Sequence, residues 1–388
     1  MREFINRHRT LCAVLCLIAS IGVFFLSFKL MENAEAQKKA EIEKNKLLLS
    51  TSEKETAEYL DRLHALALEK VLEEIPGIVC WGDGLTFGMG GKDIVYTGVL
   101  SSLIKDDLSS ELRLSERING DHKHLLNKKD YSVSIPVYNM GVPGEEVDTI
   151  LGRSGAIPYI LTASIRIPAD TSRVEVFFRS QTGNKVSPLL YGNAGLETVS
   201  INGIEGKLTV EGHSSGYSYF FQRSEAGELA YASAGTPIIT AGSKIDKNMI
   251  PVILIGASGG YETSYELMRK NQMLAEMYGD RYIIIGIPTG TRASRAQMEA
   301  LMQETFGDKY INLREYMCTD AFTDSGLTPT QFDEPYISEG TVPVSFRYSA
   351  DNGHFNDTGY TILGKIVYQR MDELGYFDEV REALAEIK

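Results

Sequence analysis

The sequence predicts an α/β protein: a doubly wound parallel sheet with an inserted small all-β module, preceded by a transmembrane helix and a helical stalk. Three features support this class. Short, continuous apolar runs alternate with helical segments in residues 76–150 and 250–388, as in strands that helices cover on both faces. Residues 151–249 are strand-like and rich in turns instead. Near the N-terminus, Leu11–Phe28 is a run of 18 residues without a charge, close to the lower length that spans a bilayer core.

The N-terminal apolar segment indicates targeting to a membrane. The basic residues before it are Arg2, Arg7 and Arg9. Such a flank tends to remain in the cytoplasm, so residues 1–30 are predicted to be a cytoplasmic tail and a transmembrane anchor. A cleaved signal peptide is the alternative, because Ala34–Ala36 (AEA) resembles a cleavage site. Both interpretations place the main domain outside the cytoplasm, on a single-pass protein of the cell membrane or as a secreted product, and the first makes the membrane a partner through Leu11–Phe28.

Residues 31–75 are predicted to form a helical stalk. They are rich in Glu, Lys, Ala and Leu and contain no Gly or Pro. Apolar side chains recur at helical spacing at Leu60, Leu63, Ala67 and Val71. Two interpretations remain: the helix lifts the domain off the membrane, or its last turns pack on the domain as an amphipathic helix.

The α/β domain is predicted in two stretches, residues 76–150 and 250–388. Its predicted strands are Ile78–Trp81, Val137–Met140, Ile250–Ile255, Tyr282–Ile287 and Tyr310–Leu313. Its predicted helices are Glu262–Tyr278, Arg292–Phe306 and Thr358–Leu374. Strands that alternate with helices of this length indicate a parallel sheet with helices on both faces.

The inserted module is predicted to form antiparallel strands of its own over Ile157–Ile245. Polar and apolar residues alternate in Ser172–Arg179 (SRVEVFFR) and in Lys207–Glu211. Asn202-Gly203 and Thr182–Asn184 are typical of turns. Helical periodicity is absent from this stretch, so a separate β module is expected at residues 151–249.

Charge and cysteine content exclude several function classes. The net charge of −13 argues against nucleic acid as a partner, because few basic groups are left to neutralise phosphates. Cys80 and Cys318 lie near the ends of predicted buried strands, where free thiols are common, so a bridge between them is not favoured. His122 and His124 form an isolated pair without the spacing of a zinc site. No metal and no cofactor is therefore expected.

Four short motifs follow predicted strands of the parallel sheet. They are Gly82–Thr86 (GDGLT), Asn139–Gly144 (NMGVPG), Gly256–Gly260 (GASGG) and, after a long loop, Asp351–His354 (DNGH). In a doubly wound sheet, ligands bind beyond the carboxyl ends of the strands. The four motifs are therefore expected to meet in one cleft.

In this order the motifs resemble the four blocks of the SGNH/GDSL hydrolase superfamily, which are G-D-S-L, a glycine block, G-x-N and D-x-x-H. The resemblance covers residues 76–150 and 250–388 and leaves the β insert outside the family core. It implies a flavodoxin-like doubly wound parallel sheet, the SGNH hydrolase fold. It also implies esterase chemistry, in which a serine attacks an acyl carbon and a histidine takes its proton.

The resemblance assigns roles to five residues. His354 corresponds to the catalytic base and Asp351 to the aspartate that orients it. The oxyanion hole would be formed by backbone N–H groups of Gly84 and Gly144 and by the side chain of Ser258. Two of these positions depart from the family: Gly84 stands in place of the nucleophilic serine, and Ser258 stands in place of the asparagine donor.

Two functional hypotheses follow, and whether the chain is an enzyme is left open between them. In the first, which we favour, the cleft is catalytically degenerate and binds an acylated or carbohydrate-like ligand, a small-molecule or carbohydrate ester. In the second, the chain is an active esterase that uses water activated by His354, or a substitute nucleophile such as Thr86 or Ser258.

The loop of residues 318–350 leads into His354 and carries aromatic side chains, so it is expected to form a wall of the cleft, or else to pack as a surface loop.

Overall fold

The computed structural model describes residues 9–74, 76–118, 133–214, 216–349 and 353–386. Contacts between residues divide the chain into two units. The first contains the N-terminal helix as far as Ala67. The second begins at Leu68 and contains all the strands.

The strands, in chain order, are β1 (Ile78–Gly82), β2 (Val137–Gly141), β3 (Tyr159–Leu161), β4 (Ile165–Ile167), β5 (Val174–Val176), β6 (Phe178–Ser180), β7 (Val199–Ile201), β8 (Ile204–His213), β9 (Gly216–Arg223), β10 (Ala230–Ala232), β11 (Pro237–Ile239), β12 (Ile250–Leu254), β13 (Ile283–Ile285) and β14 (Tyr310–Ile311). The α-helices are α1 (Arg9–Glu74), α2 (Gly84–Phe87), α3 (Tyr96–Ile118), α4 (Val147–Ser154), α5 (Ser264–Glu276), α6 (Arg292–Phe306), α7 (Leu313–Cys318), α8 (Ala321–Ser325), α9 (Glu334–Glu339), α10 (Asp357–Glu373) and α11 (Asp378–Glu386). Short 3-10 helices lie at Gly242–Lys244, Gly307–Lys309 and Val344–Phe346.

The N-terminal helix α1 is a continuous helix of 66 residues, as the sequence predicts. Its segment Ala13–Thr56 is long and apolar enough to cross a membrane, and an N-terminal signal sequence has the same properties. In the last turn of α1, Val71 and Leu72 pack against the core of the second unit. The end of the predicted stalk therefore belongs to the folded domain.

The second unit is built on a five-stranded parallel sheet with the order β14-β13-β12-β1-β2. Counted along the chain, this order is 2-1-3-4-5, and the direction of winding reverses between β1 and β12. Such a reversal is the switch point at which doubly wound sheets bind ligands. The predicted α/β class with a parallel sheet is confirmed.

Helices cover both faces of the parallel sheet. Alternate side chains of a strand point to opposite faces, so Ile78 and Cys80 join one hydrophobic core and Val79 and Trp81 join the other. The first core packs against α3, α10 and α11, and the second against α4, α5 and α6. Both cores are buried, which explains why the strands read as continuous apolar runs.

The β module forms a seven-stranded antiparallel sheet with the order β5-β9-β8-β7-β11-β3-β6, and a separate pair, β10-β4. The run 174–180 supplies both β5 and β6, which lie at opposite ends of that order. The seven strands therefore curve around a core of their own, which includes Ile167, Val199 and Phe221. The predicted antiparallel strands, apart from the parallel sheet, are confirmed. Helix α4 crosses the predicted boundary at residue 151, because its apolar side packs on the parallel sheet.

Several helices of the domain, among them α3, α4, α7 and α11, were not predicted from the sequence. Helix α3 lies between the first two strands of the parallel sheet. The stretch predicted as a long loop before His354 contains α8, α9 and a 3-10 helix, and its Phe346 is fully buried. Asp333 holds this stretch together, because its carboxylate accepts hydrogen bonds from Thr330 and Ser345.

Candidate functional site

The candidate site lies beyond the carboxyl ends of the parallel strands, where the sequence motifs place it. Gly84 begins α2, directly after β1. Gly144 follows β2, and Ser258 follows β12. The loop that carries His354 reaches the loop after β13, since a Cβ atom on Gly353 would lie 2.7 Å from Cγ2 of Thr289.

Gly84 and His354 are in contact. An ideal Cβ atom on Gly84 would lie 2.9 Å from Nε2 of His354 and 3.0 Å from Sδ of Met89. A side chain at position 84 would therefore point at the imidazole, which is the relation between a nucleophile and its base. The φ angle of Gly84 lies outside the left-handed region, so nothing in its backbone requires glycine.

The loop around His354 is held by its neighbours on both sides. The backbone carbonyl of His354 accepts a hydrogen bond from the N–H of Tyr348 at 3.0 Å. Asn356 caps α10 by accepting from the N–H of Gly359 at 3.0 Å. Its side-chain amide donates to the carbonyls of Ser345 and Arg347. Asp351, predicted to orient His354, lies outside the described residues.

The electrostatic setting of His354 favours the neutral imidazole. The ring is half-buried, and burial lowers the pKa of His354 below its ordinary value. The charge of Asp83 acts in the opposite direction but is the weaker influence. A neutral imidazole at pH 7 has a lone pair that can accept a proton from a ligand or a water.

Asp83 joins the first motif to the third. It is 1% exposed, and its Oδ1 accepts from the N–H of Leu85 at 3.1 Å, which caps α2. Its Oδ2 accepts from the N–H of Ser258 at 3.0 Å and from the Ser258 hydroxyl at 2.9 Å. Burial raises the pKa of Asp83, and these hydrogen bonds oppose the rise. The single hydroxyl proton of Ser258 is thus donated to Asp83 and not to the space above Gly84.

Gly144 lies below an aromatic side chain of the β module. Its φ angle is +67°, in the left-handed region, which favours glycine. A Cβ atom on Gly144 would lie 3.2 Å from the ring of Tyr191, and Tyr191 is 65% exposed. In the described parts of the chain, no group accepts a hydrogen bond from the backbone N–H of Gly84 or Gly144. Both N–H groups can therefore donate to a ligand, and Tyr191 forms a wall beside one of them.

A buried ion pair fixes the loop that follows Gly144. Arg153 is fully buried and pairs with Glu145, Nη2 to Oε2, at 2.7 Å. It also donates to the carbonyls of Met140 and Ala194 and lies over the ring of Trp81. Burial raises the pKa of Glu145, and the charge of Arg153 opposes this rise. The arginine thereby ties the end of β2 to the β module.

Thr86, one of the substitute nucleophiles considered from the sequence, faces away from the cleft. It is fully buried, and a Cβ atom on Gly82 would lie 2.0 Å from its hydroxyl oxygen. Asn139 donates to the carbonyl of Thr86 at 2.8 Å. A Cβ atom on Gly141 would lie 2.1 Å from the N of Phe87. Helix α2 thus approaches β1 and β2 so closely that both strand ends require glycine.

Sequence reasoning assigned no role to Asp83, Tyr191 or Arg153. The position of Asp83 directly after a buried strand was a usable signal, because polar residues at that edge tend to serve the site. No sequence signal marks the contact between Tyr191 and Gly144, or the ion pair of Arg153.

The arrangement combines a base and two backbone donors without an attacking side chain at position 84. Such a cleft can orient an acyl group and polarise its carbonyl oxygen. Comparison of the chain with protein-family models, with curated proteins and with solved structures gives no match.

Proposed function

We propose that this chain is a divergent SGNH/GDSL-hydrolase-like protein whose cleft binds an acylated small molecule or carbohydrate ester without turning it over. One observation carries the proposal: the glycine that stands at the nucleophile position faces Nε2 of His354. The base, the backbone donors and the sheet that presents them are kept, while the attacking group is absent. The strand order 2-1-3-4-5 supports this assignment, since it is the flavodoxin-like order.

The expected loss of catalysis is large. Removing a serine nucleophile leaves roughly 10³–10⁴-fold catalysis over water, which comes from binding and the oxyanion donors. A missing oxyanion donor costs roughly 10²–10³-fold where the rest of the machinery is intact. The hydroxyl of Ser258 donates to Asp83, so it does not replace the amide of an asparagine at that position. Both losses favour binding over turnover.

The native chain is expected to hydrolyse 4-nitrophenyl acetate at the background rate, and a fluorophosphonate probe should leave it unlabelled. His354→Ala should change the rate by less than about twofold, because a base without a nucleophile has little to activate. His213→Ala, in the β module, is the matched control. A native rate that His354→Ala abolishes and His213→Ala preserves would refute the proposal.

A second candidate function is hydrolysis by a water that His354 activates. The neutral imidazole favours it, because burial lowers the pKa of His354 and an unprotonated base is present at pH 7. The same comparison decides between the two candidates. A native rate that depends on His354 and increases as the pH rises through its lowered pKa supports water attack.

We also propose that the domain lies outside the cytoplasm, because arginines precede the apolar part of α1. A reporter fused after Lys388 that functions only outside the cytoplasm should be active, and the chain should fractionate with membranes. A soluble cytoplasmic product would contradict the assignment. Release of a fragment that begins near Gln37 would show that the segment is a cleaved signal peptide.

A further inference from the structure

Arg295 lies at the same edge of the parallel sheet as the candidate site. It belongs to the first turn of α6, beyond the carboxyl end of β13. Its Nε donates to the carbonyl of Thr289 at 2.7 Å, and its Nη1 donates to the hydroxyl of Tyr261 at 3.2 Å. Thr289 also touches the position of a Cβ atom on Gly353, the residue before His354. The guanidinium therefore joins the loop after β12, which carries Tyr261, to the loop after β13, which carries Thr289 and touches the residue before His354.

The loop beneath Arg295 leaves room for its side chain. Gly290 has a φ angle of +96°, and a Cβ atom there would lie 2.8 Å from Nε and 3.1 Å from Cγ of Arg295. Only glycine allows the arginine to lie across this turn. The side chain is thereby held in place before any ligand arrives, which reduces the entropy lost on binding.

Among the residues that the structure describes, no carboxylate neutralises the charge of Arg295. The partners of its guanidinium are the oxygens of Thr289, the hydroxyl of Tyr261 and the sulfur of Met298. Within the described ranges, no Asp or Glu forms an ion pair with it. By contrast, Arg292, three residues earlier on the same helix, pairs with Glu315 at 3.2 Å and is 52% exposed. A half-buried guanidinium with neutral partners attracts an anion, and the hydrogen bonds of Arg295 leave one of its five N–H donors for a carboxylate or phosphate oxygen.

We infer that Arg295 and Tyr261 form an anion subsite of the cleft, so that the ligand carries a carboxylate or phosphate group in addition to its ester. Tyr261 accepts from Arg295 and thereby keeps its own proton to donate to the anion. The ester part of this inference rests on the proposed function, whereas the anion subsite does not. The subsite is expected even though the whole chain is acidic.

The binding test uses the native full-length chain and does not require turnover. Monomethyl succinate carries a carboxylate, and methyl butyrate is its neutral counterpart. We expect the chain to bind the succinate ester the more tightly, by calorimetry or ligand-observed NMR. Arg295→Gln should lower that preference about tenfold, the effect of losing one partly exposed charge-assisted contact. Arg295→Lys should retain part of it, because the charge is kept.

Arg292→Gln is the matched control and should leave the preference as it is in the native chain. Inorganic phosphate and acetate, tested as competitors, show whether the subsite prefers a phosphate or a carboxylate. The anion that matches the group on the natural ligand should compete at the lower concentration. Thermal unfolding verifies that each variant is folded. The inference would be overturned if folded Arg295→Gln preferred the succinate ester as strongly as the native chain does. It would also be overturned if Arg292→Gln lost that preference to the same extent as Arg295→Gln.

The outcome separates this inference from the proposed function. If a folded Gly84→Ser variant neither hydrolyses esters nor reacts with a fluorophosphonate probe, the proposed function is refuted, while anion binding that depends on Arg295 still supports the subsite. If that serine variant is active but has no Arg295-dependent preference for the succinate ester, the proposed function stands and the subsite is refuted.

Discussion

The Gly84→Ser variant is expected to hydrolyse 4-nitrophenyl acetate at least about 10²-fold faster than the native chain. It should also react with a fluorophosphonate probe, and mass spectrometry should find the label at position 84. The reason is geometric: the first atom of a side chain at this position lies 2.9 Å from Nε2 of His354. A hydroxyl one bond further out is within reach of the imidazole once the ring withdraws slightly.

The substitution requires a small rearrangement. The backbone of Gly84 tolerates an L-residue, but contacts of 2.9 Å and 3.0 Å to the new Cβ are closer than real Cβ contacts. The thioether of Met89 is flexible and partly exposed, and the half-buried imidazole must shift by a few tenths of an ångström. Such overpacking costs roughly 1–3 kcal/mol of stability.

Gly84→Ala separates this steric cost from the chemistry, because it adds the same Cβ without a hydroxyl. It should be as destabilised as Gly84→Ser and remain inactive. Adding His354→Ala to Gly84→Ser should return the rate close to that of the native chain. A folded Gly84→Ser variant that neither hydrolyses esters nor reacts with the probe would show that position 84 does not face a catalytic base.

The pH profile of the Gly84→Ser variant follows from the burial of His354. The base acts only when unprotonated, and burial lowers its pKa below the ordinary 6.5. Activity should therefore exceed half of its maximum at pH 6.5 and be lost as the pH falls further, through the lowered pKa. A midpoint above 6.5 would show that a nearby charge, and not burial, controls the imidazole.

Much of the parallel sheet was predictable because its physical signal is local. The strands around Cys80 and Val252 are buried on both faces and read as continuous apolar runs, and helix α6 was predicted with its observed bounds, Arg292–Phe306. Helix α3 was missed although Tyr96, Leu100, Ile104 and Leu108 recur at every fourth position and are all buried. Apolar residues at this spacing form one face of a helix, so the sequence alone contains the signal for α3.

The site was predictable only in part, because its parts are joined by contacts between distant residues. The rule that motifs after parallel strands share one edge brings Gly84, Gly144 and Ser258 together. It does not indicate that Ser258 donates to Asp83, a residue 175 positions away. Nor does it indicate that Tyr191 covers Gly144, because Tyr191 belongs to the β module, which lies outside the part of the chain that resembles the hydrolase family.

Arg153→Ala is expected to destabilise the domain by about 3–5 kcal/mol at pH 7. The substitution leaves the carboxylate of Glu145, only 3% exposed, without its partner in the core. It also removes the donors to the carbonyls of Met140 and Ala194 and opens a cavity beside Trp81. Urea unfolding of the full-length chain in detergent measures the loss. Arg173→Ala is the matched control: its pair with Glu211 is 51% exposed on both sides, so its removal should cost less than about 1 kcal/mol.

The loss in Arg153→Ala should shrink as the pH falls, and the sign follows from Glu145. Burial already raises the pKa of Glu145 in the native chain, and removal of the arginine raises it further because the opposing charge is gone. The unfolded chain then loses its proton at a lower pH than the folded one. Stability is therefore greatest below the unfolded pKa of about 4.3 and is lost as the pH rises from there through the raised folded pKa. Relative to the native chain, the variant should be least destabilised near pH 4 and most destabilised at neutral pH. Arg153→Ala combined with Glu145→Gln removes the titrating group and should show a smaller loss, which does not increase toward neutral pH. A loss in Arg153→Ala alone that is equal at pH 4 and pH 7 would show that packing, and not the unpaired carboxylate, is responsible.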